Sequence, residues 1–254
     1  MTETTEPIAG APRKLRDAHY RRTALAISAT AYLGFWFTYF GPHLRGTYPE
    51  AAPAVHVHGW SFFGWYLLFP LQAALIHARR VRLHRALGGA SVALATVMVV
   101  TGTLVLGVQL EAAAGSSAPS FWSLFGLMIF ATLLLFAGFY AAALFLRRRG
   151  PYHKRLLIVA SAAGLGAAGF RIVGAVFGPV PWDVPAGILA TNLFIVWGMV
   201  HDSRREARIH PAYRIGLPIC VGVELGAWWI ASTPLGQEVA RALAWVGRTL
   251  AFVY

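Results

Sequence analysis

Residues 120–146 read SFWSLFGLMIFATLLLFAGFYAAALFL and are followed at once by the arginines 147–149. The stretch has no charged side chain, and about 20 apolar residues are enough for a helix to cross a bilayer. The whole chain is 57% hydrophobic and 13% charged, whereas a soluble domain carries about 25% charged residues. We therefore predict an all-α integral membrane protein.

Seven apolar runs of this kind occur along the chain, and we predict one transmembrane helix for each. They cover residues 23–42, 56–77, 86–110, 120–146, 156–178, 184–201 and 214–232. This gives a seven-span domain at 23–232, preceded by a disordered polar tail at 1–22. The segment 233–254 is interrupted by Arg241 and Arg248, so we predict an amphipathic C-terminal helix lying in the membrane interface.

Basic residues are concentrated in the N-terminal tail and in the loops after spans two, four and six, which together hold 18 of the 22 Lys and Arg residues. The positive-inside rule makes this face cytoplasmic, with the N-terminus inside and the C-terminus outside. We expect a multi-pass protein of the bacterial inner membrane. The net charge of +12 is explained by arginines facing anionic lipid headgroups, without a nucleic-acid partner.

Histidines lie at the ends of several predicted spans. His84 begins span three, His153 begins span five, and His201 ends span six beside Asp202. If these spans are neighbours, three imidazoles and one carboxylate converge at the cytoplasmic boundary. Imidazole is a ligand for Fe, Zn and Cu, and haem b is commonly held by two histidines. These four residues are therefore candidate ligands of a transition metal, and His84 and His153 are candidate ligands of haem b.

Basic side chains beside these histidines would pair with the propionates of a haem. They are Arg85, Lys154 and Arg155. The alternative is that each histidine is an interfacial anchor that contacts lipid headgroups beside its arginines. On that interpretation the protein holds no cofactor, and the sequence is equally compatible with this outcome.

A second histidine pair, His56 and His58, occurs in VHVHG at residues 55–59. An extended backbone would let both rings chelate one metal ion, which makes this pair an alternative metal site. If the segment is helical, the two side chains point about 200° apart and one site cannot use both.

Two charged residues lie within predicted spans, Arg171 in span five and Glu224 near the middle of span seven. An isolated charge at that depth costs roughly 2.5–3.5 kcal/mol or more, so it normally faces the protein interior and finds a partner. We consider a direct pair between them, a path for protons or cations, and an anchor for a polar ligand. Gln72, Thr191 and Asn192 would line the same cavity.

Three segments carry a resemblance to a known family: LHRALGG at 83–89, HKRLLIVAS at 153–161 and HDSRREARIHPAYRIG at 201–216. They resemble recurring motifs of uncharacterised bacterial multi-span membrane proteins. That resemblance covers most of the chain from His56 to Arg214, and it implies a fold but no activity.

The layout of the histidines is also similar to that of cytochrome b-type ferric and ascorbate reductases, in which four consecutive spans each give one histidine. His56 or His58, His84 and His153 match three of these positions. Span four has no histidine, so the resemblance implies only an inner haem between His84 and His153.

Three functions follow as alternatives, and whether the chain is an enzyme stays open. The first is a redox protein with a histidine-ligated haem b or metal near the cytoplasmic face. The second is a non-enzymatic transporter or binding protein for a small polar or lipid-like ligand, built around Glu224 and Arg171. The third is an accessory subunit of a larger membrane complex, or a homo-oligomer. A retinal Schiff base is excluded, because span seven has no lysine.

Overall fold

The computed structural model describes residues 13–114, 121–178, 180 and 182–249, with side chains from Ala18 onward. Within these residues the chain is all-helical, without strands. The helices are α1 (Arg13–Phe35), which continues into a π-helical turn (Trp36–Phe40), α2 (Gly41–Leu44), α3 (Pro53–His77), α4 (Val81–Ala114), α5 (Phe121–Phe145), α6 (Gly150–Ala163), α7 (Gly166–Phe177), α8 (Asp183–Thr191), α9 (Leu193–Glu206), α10 (Pro211–Ala231) and α11 (Pro234–Thr249).

The described helices confirm a multi-span membrane protein. Five are long and apolar enough to cross a membrane, counting α8 and α9 together, and α6 with α7 make a sixth if that bent pair is one span. The predicted first span falls in α1 and its π-helical turn, which are not among these helices. Seven spans and their orientation therefore stay predictions. Of the predicted polar tail, residues 13–22 are helical, and residues 1–12 lie outside the described residues.

Three of the predicted spans contain a local departure from regular α-helix at their predicted membrane depth. The π-helical turn of Trp36–Phe40 widens the end of α1. Helices α6 and α7 meet at an angle of 47° around Gly164 and Leu165. Helices α8 and α9 are joined at the single residue Asn192. Irregular backbone at this depth is tolerated only where it is buried in protein or lines a cavity.

Several helix pairs pack at very short range through small residues. Gly187 of α8 lies against the backbone of Gly169 and Phe170 in α7, and a Cβ atom there would overlap that main chain. Small residues let membrane helices approach closely, so this contact fixes α8 against α7. The C-terminal helix α11 packs on α4 in the same way, with Gly247 against Gly107.

The N-terminus of α1 and the turns between α5 and α6 and between α9 and α10 lie at one end of the bundle. The ring of His19 stacks on that of His201 with 3.5 Å between centroids, and Arg155 contacts Asp202. We call this end of the bundle, which holds the N-terminus of α1, these two turns and the residues His19, His201, Arg155 and Asp202, the arginine-rich end. Its identity as the cytoplasmic face is the sequence prediction given above.

Candidate functional site

A buried polar pair is formed by Glu224 of α10 and Asn192 at the junction of α8 and α9. Asn192 Nδ2 donates a hydrogen bond of 2.7 Å to Glu224 Oε2. Both residues are buried, with 0% and 4% of their surface exposed. Glu224 Oε1 and Asn192 Oδ1 are buried without a hydrogen-bond partner. Each residue of the pair therefore has one buried acceptor oxygen that is unsatisfied, and a bound positive species would satisfy such an oxygen.

Arg171 of α7 does not join this pair. Its Nε donates to Thr38 Oγ1 at 2.9 Å and its Nη1 donates to the carbonyl oxygen of Ala167 at 2.7 Å. The guanidinium also lies over the rings of Phe35 and Phe170, at 4.5 and 4.7 Å from their centres. Among the described residues it has no ion pair with a carboxylate. Arg171 and Glu224 therefore do not form the direct pair considered from the sequence. Arg171 binds Thr38 and Ala167, and Glu224 binds Asn192.

His84 and His153 lie near each other at the arginine-rich end, close enough for the charge of His153 to act on His84. His153 Nδ1 donates to the carbonyl oxygen of Ala143 at 2.8 Å, which leaves its Nε2 as the acceptor nitrogen. His84 Nδ1 is buried without a hydrogen-bond partner, and so is the side-chain oxygen of Gln72 in α3. Arg85 is exposed beside them.

Arg155 and Asp202 form a buried ion pair between α6 and α9. Arg155 Nε donates to Asp202 Oδ2 at 2.9 Å and Arg155 Nη2 to Oδ1 at 2.7 Å, with the two side chains 1% and 0% exposed. Nη2 also contacts Glu206 Oε1 at 3.0 Å. The backbone N–H of His210 donates to Asp202 Oδ2 at 3.3 Å. Arg155, expected beside a propionate, and Asp202, expected on a metal, are thus bound to each other.

The predicted metal-ligand set is divided within the fold. His201 stacks on His19, Asp202 is held by Arg155, and His84 lies with His153. Over the stretches of chain that the structure describes, no three His, Cys, Asp or Glu side chains are grouped so that they could hold a metal ion. A haem held by two histidines alone stays a prediction.

His19 is kept neutral by its surroundings. Burial, and then the charge of the stacked His201, lower the pKa of His19 to about 4. Nearby charges contribute in both directions: Asp202 raises the pKa, and Lys154 and Arg155 lower it. Lys154 itself lies over the ring of Tyr20, 4.0 Å from its centre. The stack therefore brings an uncharged imidazole against His201 near neutral pH.

The opposite end of the bundle holds the other predicted histidine pair. Residues 53–77 are helical, so His56 and His58 face different neighbours. His56 Nδ1 hydrogen-bonds the Tyr39 hydroxyl at 3.0 Å, and His58 Nδ1 donates to the carbonyl oxygen of Met98 at 3.1 Å. The backbone of this pair is therefore helical and not extended.

Sequence reasoning missed several polar residues near these sites. Tyr213 is fully buried with a hydroxyl group that has no partner, and Glu206 is the second carboxylate on Arg155. Glu206 follows Asp202 by four residues, which places both on one face of α9. That spacing was a readable signal for a basic partner. No comparable signal marked Tyr213 or His19.

Comparison of the chain with family models, with curated proteins and with solved structures finds no match. The arguments about function therefore rest on the chemistry of these sites. The buried carboxyl and amide of Glu224 and Asn192 offer oxygen ligands in a dry environment. The histidines at the arginine-rich end offer imidazole nitrogens at its boundary.

Proposed function

We propose that this chain is a multi-pass membrane protein that binds a proton or a small monovalent cation at Glu224 and Asn192, as the central step of a transport or binding function. The observation that carries the proposal is the pair of unsatisfied oxygens, Glu224 Oε1 and Asn192 Oδ1. Both belong to residues already joined by one hydrogen bond. A positive species bound at this pair would supply the contact that these buried oxygens lack.

The position of the pair supports this function. Asn192 lies in the span formed by α8 and α9, and Glu224 lies in the span formed by α10, so the pair joins two helices that are long and apolar enough to cross a membrane. Carboxylate and amide oxygens are hard ligands that suit protons and alkali cations better than soft metals. An ionisable group inside a span is itself a marker of function, because it is costly to keep there.

The test is the thermal stability of the detergent-purified protein as NaCl replaces choline chloride at constant ionic strength, repeated over a range of pH. A ligand that binds only the folded state and is present at a concentration of 100 times its Kd stabilises that state by about 2.7 kcal/mol. We expect Tm to rise with Na⁺ or with proton concentration, and Glu224→Gln to abolish that component. Glu111→Gln is the matched control, since Glu111 is a partly exposed carboxylate paired with Arg248.

The two chemistries give different outcomes in this experiment. A sodium-dependent rise that Glu224→Gln removes identifies a cation site, and a purely pH-dependent difference between the wild type and Glu224→Gln identifies a proton site. A response that persists unchanged in Glu224→Gln, or no response to either variable, contradicts the proposal.

A second function is supported by a separate observation, the buried and unpartnered Nδ1 of His84 close to His153. The hydrogen bond from His153 Nδ1 to the carbonyl of Ala143 is the orienting contact that ligating histidines commonly make through their other ring nitrogen. His84 and His153 would hold a haem b or a single metal ion at the arginine-rich end. Such a group supplies one-electron chemistry when bound.

An absorption spectrum of the purified protein, oxidised and then reduced with dithionite, tests this second function, with metal analysis on the same sample. A Soret band that shifts on reduction, and that disappears in His84→Ala/His153→Ala, is the expected result. His77→Ala, which removes an exposed histidine of the same end, should leave the spectrum unchanged. A colourless and metal-free wild-type protein would contradict it.

A further inference from the structure

A basic pocket opens at the arginine-rich end, beside the first turn of α10. It has a volume of about 680 Å³ and is lined by Tyr152, Arg208, Ile209, His210, Pro211 and Arg214. Helix α10 is one of the helices apolar enough to cross a membrane. The pocket therefore lies where a span begins, at the level at which phospholipid headgroups meet a protein.

Two arginines of the pocket have no ion-pair partner. Arg208 and Arg214 are exposed, and neither forms an ion pair with a carboxylate among the described residues. The two acids nearest in sequence, Asp202 and Glu206, contact the buried Arg155 instead, although their charges also act on His210. Both guanidinium groups are therefore available to an anionic ligand.

Two uncharged hydrogen-bond donors, His210 and Tyr152, line the pocket beside the arginines. His210 Nδ1 accepts a hydrogen bond of 3.2 Å from the backbone N–H of Ala212, so the neutral ring carries its proton on Nε2. Burial, followed by the charge of Arg155, lowers the pKa of His210, which favours that neutral form. The ring of Tyr152 packs edge-on against it at 4.4 Å and adds a hydroxyl group.

The loop at residues 207–210, which carries Arg208 and His210, is held to the rest of the bundle. Helix α9 ends at Glu206 and is followed by Ala207, whose φ of 52° lies in the left-handed region. Three residues later, the backbone N–H of His210 is held by Asp202 Oδ2 at 3.3 Å. Because Asp202 is itself held by Arg155, the loop is anchored to a buried ion pair, and His210 is preorganised.

We propose that this pocket binds the phosphate group of an anionic phospholipid, with Arg208 and Arg214 as the charged ligands. Arginine binds phosphate through paired N–H groups, which gives both strength and orientation. The cavity is far larger than a phosphate ion, and Ile209 and Pro211 add apolar walls that suit the glycerol and the start of the acyl chains. This inference is independent of Glu224.

Native mass spectrometry of the detergent-purified protein titrated with phosphatidylglycerol, phosphatidylcholine or inorganic phosphate tests the proposal. Each basic residue near an anionic headgroup contributes about a fivefold factor. We expect Arg208→Gln/Arg214→Gln to weaken phosphatidylglycerol binding by about 30-fold. Arg80→Gln/Arg82→Gln removes two exposed arginines at the start of α4 and should change the binding less than about threefold.

Three results would overturn the proposal. Equal losses in the two double variants would mean that the arginine-rich end attracts anionic lipid only diffusely. Inorganic phosphate that competes fully with phosphatidylglycerol would mean that the pocket is a site for the free ion. Equal binding of phosphatidylcholine would mean that charge does not select the lipid. Unfolding temperatures without added lipid, expected to match the wild type in both variants, show that the fold is retained.

Discussion

Replacing Arg155 with alanine is expected to lower the free energy of unfolding by about 3–5 kcal/mol. The substitution leaves the carboxylate of Asp202, which is 0% exposed, buried without its bidentate partner, and an uncompensated buried charge is strongly destabilising. It also releases Glu206 and removes the anchor of the loop at 207–210. Unfolding of the purified protein in mixed micelles, followed by circular dichroism, measures the change.

The matched control is Arg241→Ala, which breaks the contact between Arg241 and Glu238 on α11. Both of those side chains are about two-thirds exposed, and exposed ion pairs contribute at most about 1 kcal/mol. Replacing both buried partners with apolar residues, in Arg155→Met/Asp202→Leu, should recover much of the loss. If Arg155→Ala cost no more than Arg241→Ala, the buried pair would not hold α6 and α9 together.

The second large effect is expected at Gly187, where α8 and α7 touch backbone to backbone. A single added methyl group in Gly187→Ala meets the main chain of Gly169 and Phe170, which cannot rotate away as a side chain would. Over-packing of this kind costs typically 1–3 kcal/mol and sometimes more. We expect a loss of about 3 kcal/mol, measured by the same unfolding assay.

Gly138→Ala in α5 is the control for this change. A Cβ atom at Gly138 meets nothing within 4 Å, and alanine in a helix interior is favoured over glycine by roughly 0.5–1 kcal/mol. The two substitutions are chemically identical and should therefore change stability in opposite directions. A stabilising effect of Gly187→Ala would show that α7 and α8 are not in close contact.

The helical, multi-span character of the chain was predictable because long uncharged runs followed by arginines leave few other structures open. The interruptions inside those runs were not predictable. The junction of α8 and α9 at Asn192 contains no glycine or proline, and Asn192 keeps right-handed helical backbone angles, so the sequence carried no local signal for it. The bend near Gly164 falls in a segment whose small residues are equally suited to uninterrupted helix packing.

The partners of the charged residues were the least predictable part. The sequence placed Arg155 and Asp202 at one predicted depth, but it assigned one to a haem and the other to a metal. Their mutual pairing follows from the packing of α6 on α9, which no sequence periodicity specifies. Glu224 was recognised as costly, yet its partner is the neutral Asn192, because the guanidinium of Arg171 is satisfied by Thr38 and Ala167.

The central claim is that Glu224 holds a positive species in the interior of the membrane domain. It is tested most directly by infrared difference spectroscopy of the reconstituted protein, recorded as pH or sodium concentration is changed. The account predicts a carboxyl signal, either the loss of a protonated C=O band or a shift of a cation-bound carboxylate band, that is present in the wild type and in Glu111→Gln and absent in Glu224→Gln. Identical difference spectra for the wild type and Glu224→Gln would contradict it.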